Sequence, residues 1–229
     1  MTREMISRVR RKIADADSAF RLRAEFSKTL QRDYQKIIRS LSKRRGITLD
    51  RLNGHEDMLV ENLNLKKDAL LLANAGGTDT FSILALLSFL GSSHLSNYNI
   101  YAIPNRTPIH RNTKNATVFN ARLANEFGGR HLALAIVMKD GLPYFDSFYV
   151  AVSSNRRKVG RERDLVKHLE SKGHKLGAFS YSEDTSKYTV IKTENSMLQG
   201  LQSLGADVYG FTVNEEIETC VDAMKFLLN

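Results

Sequence analysis

Apolar and polar positions change rhythm near residue 46. Before it, Ile6, Val9, Ile13, Ala16 and Phe20, then Leu30, Tyr34, Ile37 and Leu41, recur at spacings of three and four, the period of a helix. No Gly or Pro occurs before Gly46, and Arg23 and Ser27 interrupt the stripe. The pattern predicts one long helix or a helical hairpin over residues 1–48, with arginine and lysine on its solvated faces.

From residue 49 the pattern alternates between helix and strand, predicting a second unit at 49–229. ALLLANA (69–75) and NYNIYAIP (97–104) read as strands flanking an apolar helix at 79–90. NATVFNARLANEF (115–127) reads as a helix stopped by Gly128-Gly129. LALAIV, after His131, is a strand apolar on both faces, and YFDSFYV reads as its return strand across a KDG turn. RERDLVKHLE (161–170) is a helix, KYTVIKTEN (187–195) is β-rich, and the tail from Asp207 to Leu228 reads as mostly helical, with Val213, Ile217, Cys220 and Met224 along one stripe. The fold class expected is α+β, with helices around a mixed or antiparallel sheet.

Charge divides the chain in the same place. Residues 1–48 carry 14 Lys+Arg against 5 Asp+Glu, so the whole net charge of +9 lies there and the remainder is neutral. A partner of opposite charge, nucleic acid or another anionic surface, would meet this arm. LSKRRGITLDRL (41–52) resembles the first half of a repressor helix-turn-helix, but NGHEDMLVENL after it is too acidic for a major groove. The longest apolar run, FSILALLSFL, is about half of what a bilayer span needs, so no membrane span is expected. One cysteine, Cys220, and no secretory signal fit a cytosolic protein.

Few residues offer metal or phosphate chemistry. The histidines, His55, His94, His110, His131, His168 and His174, show no ligand spacing, and no metal site is expected. NAGGTDTFS (74–82) has no following lysine for a phosphate loop and reads as a strand-to-helix turn with Thr78 or Asp79 as the cap. SSNRRKVGRERD (153–164) reads as a solvated loop of mixed charge, with contact to an acidic partner as the alternative.

The hairpin offers more. If the turn centres on Lys139-Asp140, His131 faces Phe148 and Asp146 is its diagonal neighbour, roughly 7–8 Å away, within side-chain reach. A turn at Asp140-Gly141 places Asp146 beyond it. An imidazole oriented by a carboxylate can accept a proton from a nucleophile; otherwise His131 is a solvent-facing edge residue and Asp146 caps a loop.

A histidine opening an apolar strand, followed by aromatic-Asp-Ser at 145–147, resembles the adenain/Ulp1-like cysteine peptidase clan, which includes SUMO proteases and YopJ-type acetyltransferase effectors. Gln202, Asp207 and Phe211 fall at further motif positions, and Val208 stands where the clan has its cysteine. The resemblance spans about residues 115–228. It implies an Ulp1/YopJ-like core with His131 as base, Asp146 as orienting acid and Gln202 as oxyanion donor. With Val208 at the nucleophile position, it implies a catalytically silent relative that grips an extended peptide or ubiquitin-like tail. Inositol hexakisphosphate or acetyl-CoA would follow only for a YopJ-like protein, as would a translocated effector acting in a host cell. Two alternatives stand beside this: an active thiol isopeptidase or acetyltransferase using Cys220, and a basic helical adaptor. Cys220 lies on an apolar helical stripe, the place of a packing residue rather than a reactive thiol.

Overall fold

The computed structural model describes residues 32–43, 46–52, 54, 56–73, 80–104, 113–140, 150–152, 159–174, 176, 200–201, 203–213 and 216–229, with scattered positions between 21 and 30. Helix α1 covers residues 32–43. Strands β1 (Thr48–Leu52), β2 (Glu56–Glu61) and β3 (Asp68–Ala73) follow, then α2 (Phe81–Gly91), β4 (Asn99–Pro104), α3 (Thr113–Phe127), β5 (Leu132–Asp140), β6 (Val150–Val152), α4 (Val159–Ser171), β7 (Asp207–Val213) and α5 (Ile217–Leu228).

The strands form one sheet in the order β1-β2-β4-β3-β5-β7-β6. The central four, β4, β3, β5 and β7, are parallel, while β1, β2 and β6 are antiparallel to their neighbours. The sequence explains the parallel centre. DALLLA and NIYAIP are buried at every position, because strands covered by helices on both faces cannot alternate apolar with polar.

Side-chain alternation sorts the core into two layers. Ala69, Leu71 and Ala73 of β3, with Tyr209, Phe211 and Val213 of β7, face a layer built from α1, α2, α4 and α5. Leu70, Leu72, Val137 and Val208 face the layer with Phe119, Leu123 and Phe127 of α3. The path from β3 to β4 runs through α2 on the first face, and the path from β4 back across β3 to β5 runs through α3 on the second. Right-handed crossovers to opposite sides of one strand require that. α1 belongs to the first layer: Tyr34, Ile38 and Leu41 are buried in it, with Leu30 just before the helix, so this part of the basic arm packs on the sheet.

Two expectations need correction. β5 is flanked on both sides by parallel strands, β3 and β7, and the described end of the expected return strand, Val150 in β6, pairs with β7; residues 144–149 lie outside the described residues. Residues 207–213 are strand, not helix: VYGFTV is rich in β-branched and aromatic residues, and the helical spacing seen from Val213 onward begins in earnest only at Ile217. Residues 48–52 are an edge strand, in keeping with the sequence reading that set the helix-turn-helix aside. The β-rich stretch 187–195 lies outside the described residues.

Candidate functional site at the carboxyl edge of the sheet

Strand order reverses around β3, with β4 on one side and β5 on the other. In open sheets of this kind, the loops leaving the carboxyl ends part at such a point and leave a crevice. The described groups at this edge are Lys139 and Asp140 ending β5, Thr212 and Val213 ending β7, and the first turns of α2 and α5.

Asp140 faces the first layer. Its Oδ2 accepts the backbone N–H groups of Thr80 (2.8 Å) and Phe81 (3.0 Å), and its Oδ1 that of Ser82 (2.7 Å). The carboxylate thus caps α2 from another strand. Thr80, at the cap position, makes no side-chain cap bond, and the expected caps Thr78 and Asp79 lie outside the described residues. The anion site that a helix N-terminus offers is therefore filled by the chain itself.

Lys139 and Thr212 face the other layer. They are register partners on the parallel strands β5 and β7, about 4.8 Å apart by strand spacing. Lys139 is exposed. Thr212 is 1% exposed, and among the described residues its Oγ1 has no hydrogen-bond partner. A buried hydroxyl without a partner is costly. Beside the exposed Lys139, it makes a polar pair suited to an anionic oxygen.

Behind α5, near the same edge, His174 Nε2 lies 2.9 Å from Asp222 Oδ2, and His174 Nδ1 lies 3.0 Å from Thr219 Oγ1. Lys172 Nζ is 3.1 Å from the same Asp222 oxygen. Burial pushes the Asp222 carboxyl up, but its bonds to His174 and Lys172 outweigh this and hold it below the usual carboxylate range. Thr219 is buried, so the trio joins the end of α4 to the start of α5 and exposes no nucleophile. The sequence carried no signal for it, because 48 residues separate His174 from Asp222.

Of the residues singled out from the sequence, His131, Val208 and Cys220 are among the described residues. His131 is exposed and precedes β5 at the opposite, amino edge, where its carbonyl accepts the Asp68 N–H at 3.0 Å. Val208 is the second residue of β7, opposite Ala135, and buried in the α3 layer. Asp146 and Gln202 lie outside the described residues. Cys220 is fully buried with its Sγ 3.5 Å from Met138 Sδ; burial pushes its thiol far up, and Asp140 adds to the effect.

No family model matches the chain. No curated protein matches it either. Solved structures do match. A candidate metallopeptidase of Shewanella amazonensis superposes with a TM-score of 0.61 at 14% identity, covering 87% of this chain and 92% of its own. Another, from Shewanella denitrificans, gives 0.60 at 12%, covering 84% and 86%. A metallo-carboxypeptidase of Pseudomonas aeruginosa in complex with (2-guanidinoethylmercapto)succinic acid gives 0.59 at 10%, covering 85% and 67%. At such identities the likeness is one of fold.

That fold overturns the resemblance to Ulp1-like peptidases and YopJ-type effectors. The motif that carried it was short: an apolar strand after a histidine is what any doubly covered parallel strand looks like. The nucleophile-less thiol-protease function, and the active thiol alternative with it, falls with the resemblance. The ubiquitin-like partner, the host-cell role and the cofactors it implied have no other support.

The neighbours' names imply a metal. Among the described residues, no three His, Cys, Asp or Glu side chains gather as ligands. The Asp140 carboxylate is engaged by three amides, and Asp222 by His174 and Lys172. These residues do not fit a metal.

Proposed function

We propose that this chain, on a metallopeptidase-type hydrolase fold, takes a peptide-like ligand by its free carboxylate at the carboxyl edge of the sheet. The observation that carries this is the Lys139–Thr212 pair. Lys139 supplies a point charge, and the Thr212 hydroxyl one donated hydrogen bond to the second oxygen. The hydroxyl's lack of a partner favours the bound state, since the ligand supplies the acceptor. The fold supports the same reading: its neighbours include proteins named as carboxypeptidases, one holding a succinic acid derivative. Asp140 holds α2 in place behind the pair and keeps the helix terminus from competing for the ligand's charge.

The test is fluorescence anisotropy of short labelled peptides that differ only in a free or an amidated C-terminus. The free acid should bind saturably. Amidation, or Lys139→Ala, should weaken it about tenfold, and the two changes together no more than either alone, because they remove one shared contact. Equal binding of acid and amide, or no binding, would overturn the reading.

A further inference from the structure

Two connections meet at the amino edge, the end of the sheet opposite Lys139 and Thr212. One joins β2, ending at Glu61, to β3, beginning at Asp68; the other joins α2, ending at Gly91, to β4, beginning at Asn99. They carry Leu63 (42% exposed), Leu65 (39%) and Leu95 (77%). Scattered surface leucines need no explanation, but these three are held outward by buried polar groups.

The Asn99 carboxamide accepts the N–H groups of Leu63 and Leu65, both at 3.0 Å, and donates to the Leu65 carbonyl and to Asp68 Oδ1, both at 2.8 Å. Asn64 between them adopts the left-handed conformation, φ 57°, which asparagine tolerates well, and its N–H donates to Asn62 Oδ1. In the second connection the His94 side chain is 1% exposed. Its Nε2 lies 2.9 Å from Glu61 Oε2, its Nδ1 3.1 Å from the Ser92 carbonyl, and its ring centroid 4.3 Å from that of Phe89. The His94–Glu61 contact ties the two connections together, so the leucines of both lie on the same edge of the sheet.

Within these two connections charge is one-sided. Glu61 and Asp68 are buried and engaged, whereas Lys66 and Lys67 are exposed and make no ion pair among the described residues. Three outstanding leucines beside two free lysines match an interface that is apolar below and anionic above. We propose that the 62–67 and 92–97 connections dock this protein on an anionic lipid surface. The leucines enter the boundary of headgroups and acyl chains, and the lysines meet the lipid anions. An acidic protein segment would answer the same charges, but it would want a groove, and here the apolar groups are partly exposed leucines on two short connections. Among the described residues no helix is long and apolar enough to cross a membrane, so the attachment is peripheral. The carboxyl edge would then face away from the bilayer.

Co-sedimentation of the full chain with phosphatidylcholine vesicles, with and without phosphatidylserine, tests this. The basic N-terminal arm adds a purely electrostatic attraction, so binding is compared at raised salt, where that part is screened. The Leu63→Ser/Leu95→Ser variant should lose salt-resistant binding to anionic vesicles by tenfold or more, on the order of what burying two leucines supplies. Lys66→Glu/Lys67→Glu should weaken the preference for anionic over neutral vesicles at low salt, where the lysines are unscreened, and it provides a second variant should the serines disturb folding. Unchanged binding by both variants would overturn the proposal. So would leucine-dependent self-association, or leucine-dependent capture of an acidic peptide, without vesicle binding.

Discussion

Thr212 is a polar side chain where packing would favour valine. Its hydroxyl is buried in the layer below α3 with Lys139 across the strand pair. If the hydroxyl is kept for a ligand, Thr212→Val should leave the free protein as stable as before, or more stable by up to about 1 kcal/mol, because an unpaired polar group leaves the interior. Urea unfolding measures this. A loss of 1 kcal/mol or more, on the scale of a broken hydrogen bond, would show that the hydroxyl is already paired within the protein. Neither Thr212 nor Lys139 stood out in the sequence. Lys139 read as part of a KDG turn, and Thr212 as part of a helix; their pairing depends on the register between two strands more than 60 residues apart, which no local pattern encodes. Cys220 was legible, because its helical stripe alone marked it as buried.

Elements were read best where the local pattern decides them. α2, α3 and α4, with the strands β3, β4 and β5, lie close to their expected places, since helical period and unbroken apolar runs are local signals. The misread elements were those set by distant partners. β6 leaves β5 and joins β7, and α2 takes its cap from Asp140 across the sheet. Asn99 is another such tie: one carboxamide fixes the β2–β3 connection through four hydrogen bonds. Asn99→Ala would leave the Leu63 and Leu65 N–H groups and Asp68 without that partner. The expected cost is about 1–3 kcal/mol, read as a lower urea midpoint with an unchanged slope. An unaltered midpoint would mean that this network contributes nothing to holding the amino-edge connections.

At the scale of the molecule, the alternation of helix and strand announced a layered α and β fold, and the mixed sheet is there. Its parallel centre was hidden because doubly buried strands look alike in either direction. The motif resemblance pointed to the amino end of β5 and to Val208. The strand order turns around β3, and in open sheets of this kind ligands bind outside the carboxyl ends of the strands, the edge proposed here. Backbone amide shifts of the isotope-labelled full chain, titrated with a free-carboxylate peptide, test that placement most directly. The account predicts shifts at Lys139, Asp140, Thr212 and Val213, with Asp68, Asn99 and Leu132 at the opposite edge unmoved. Shifts confined to the amino edge, around His131 and Val208, would contradict it.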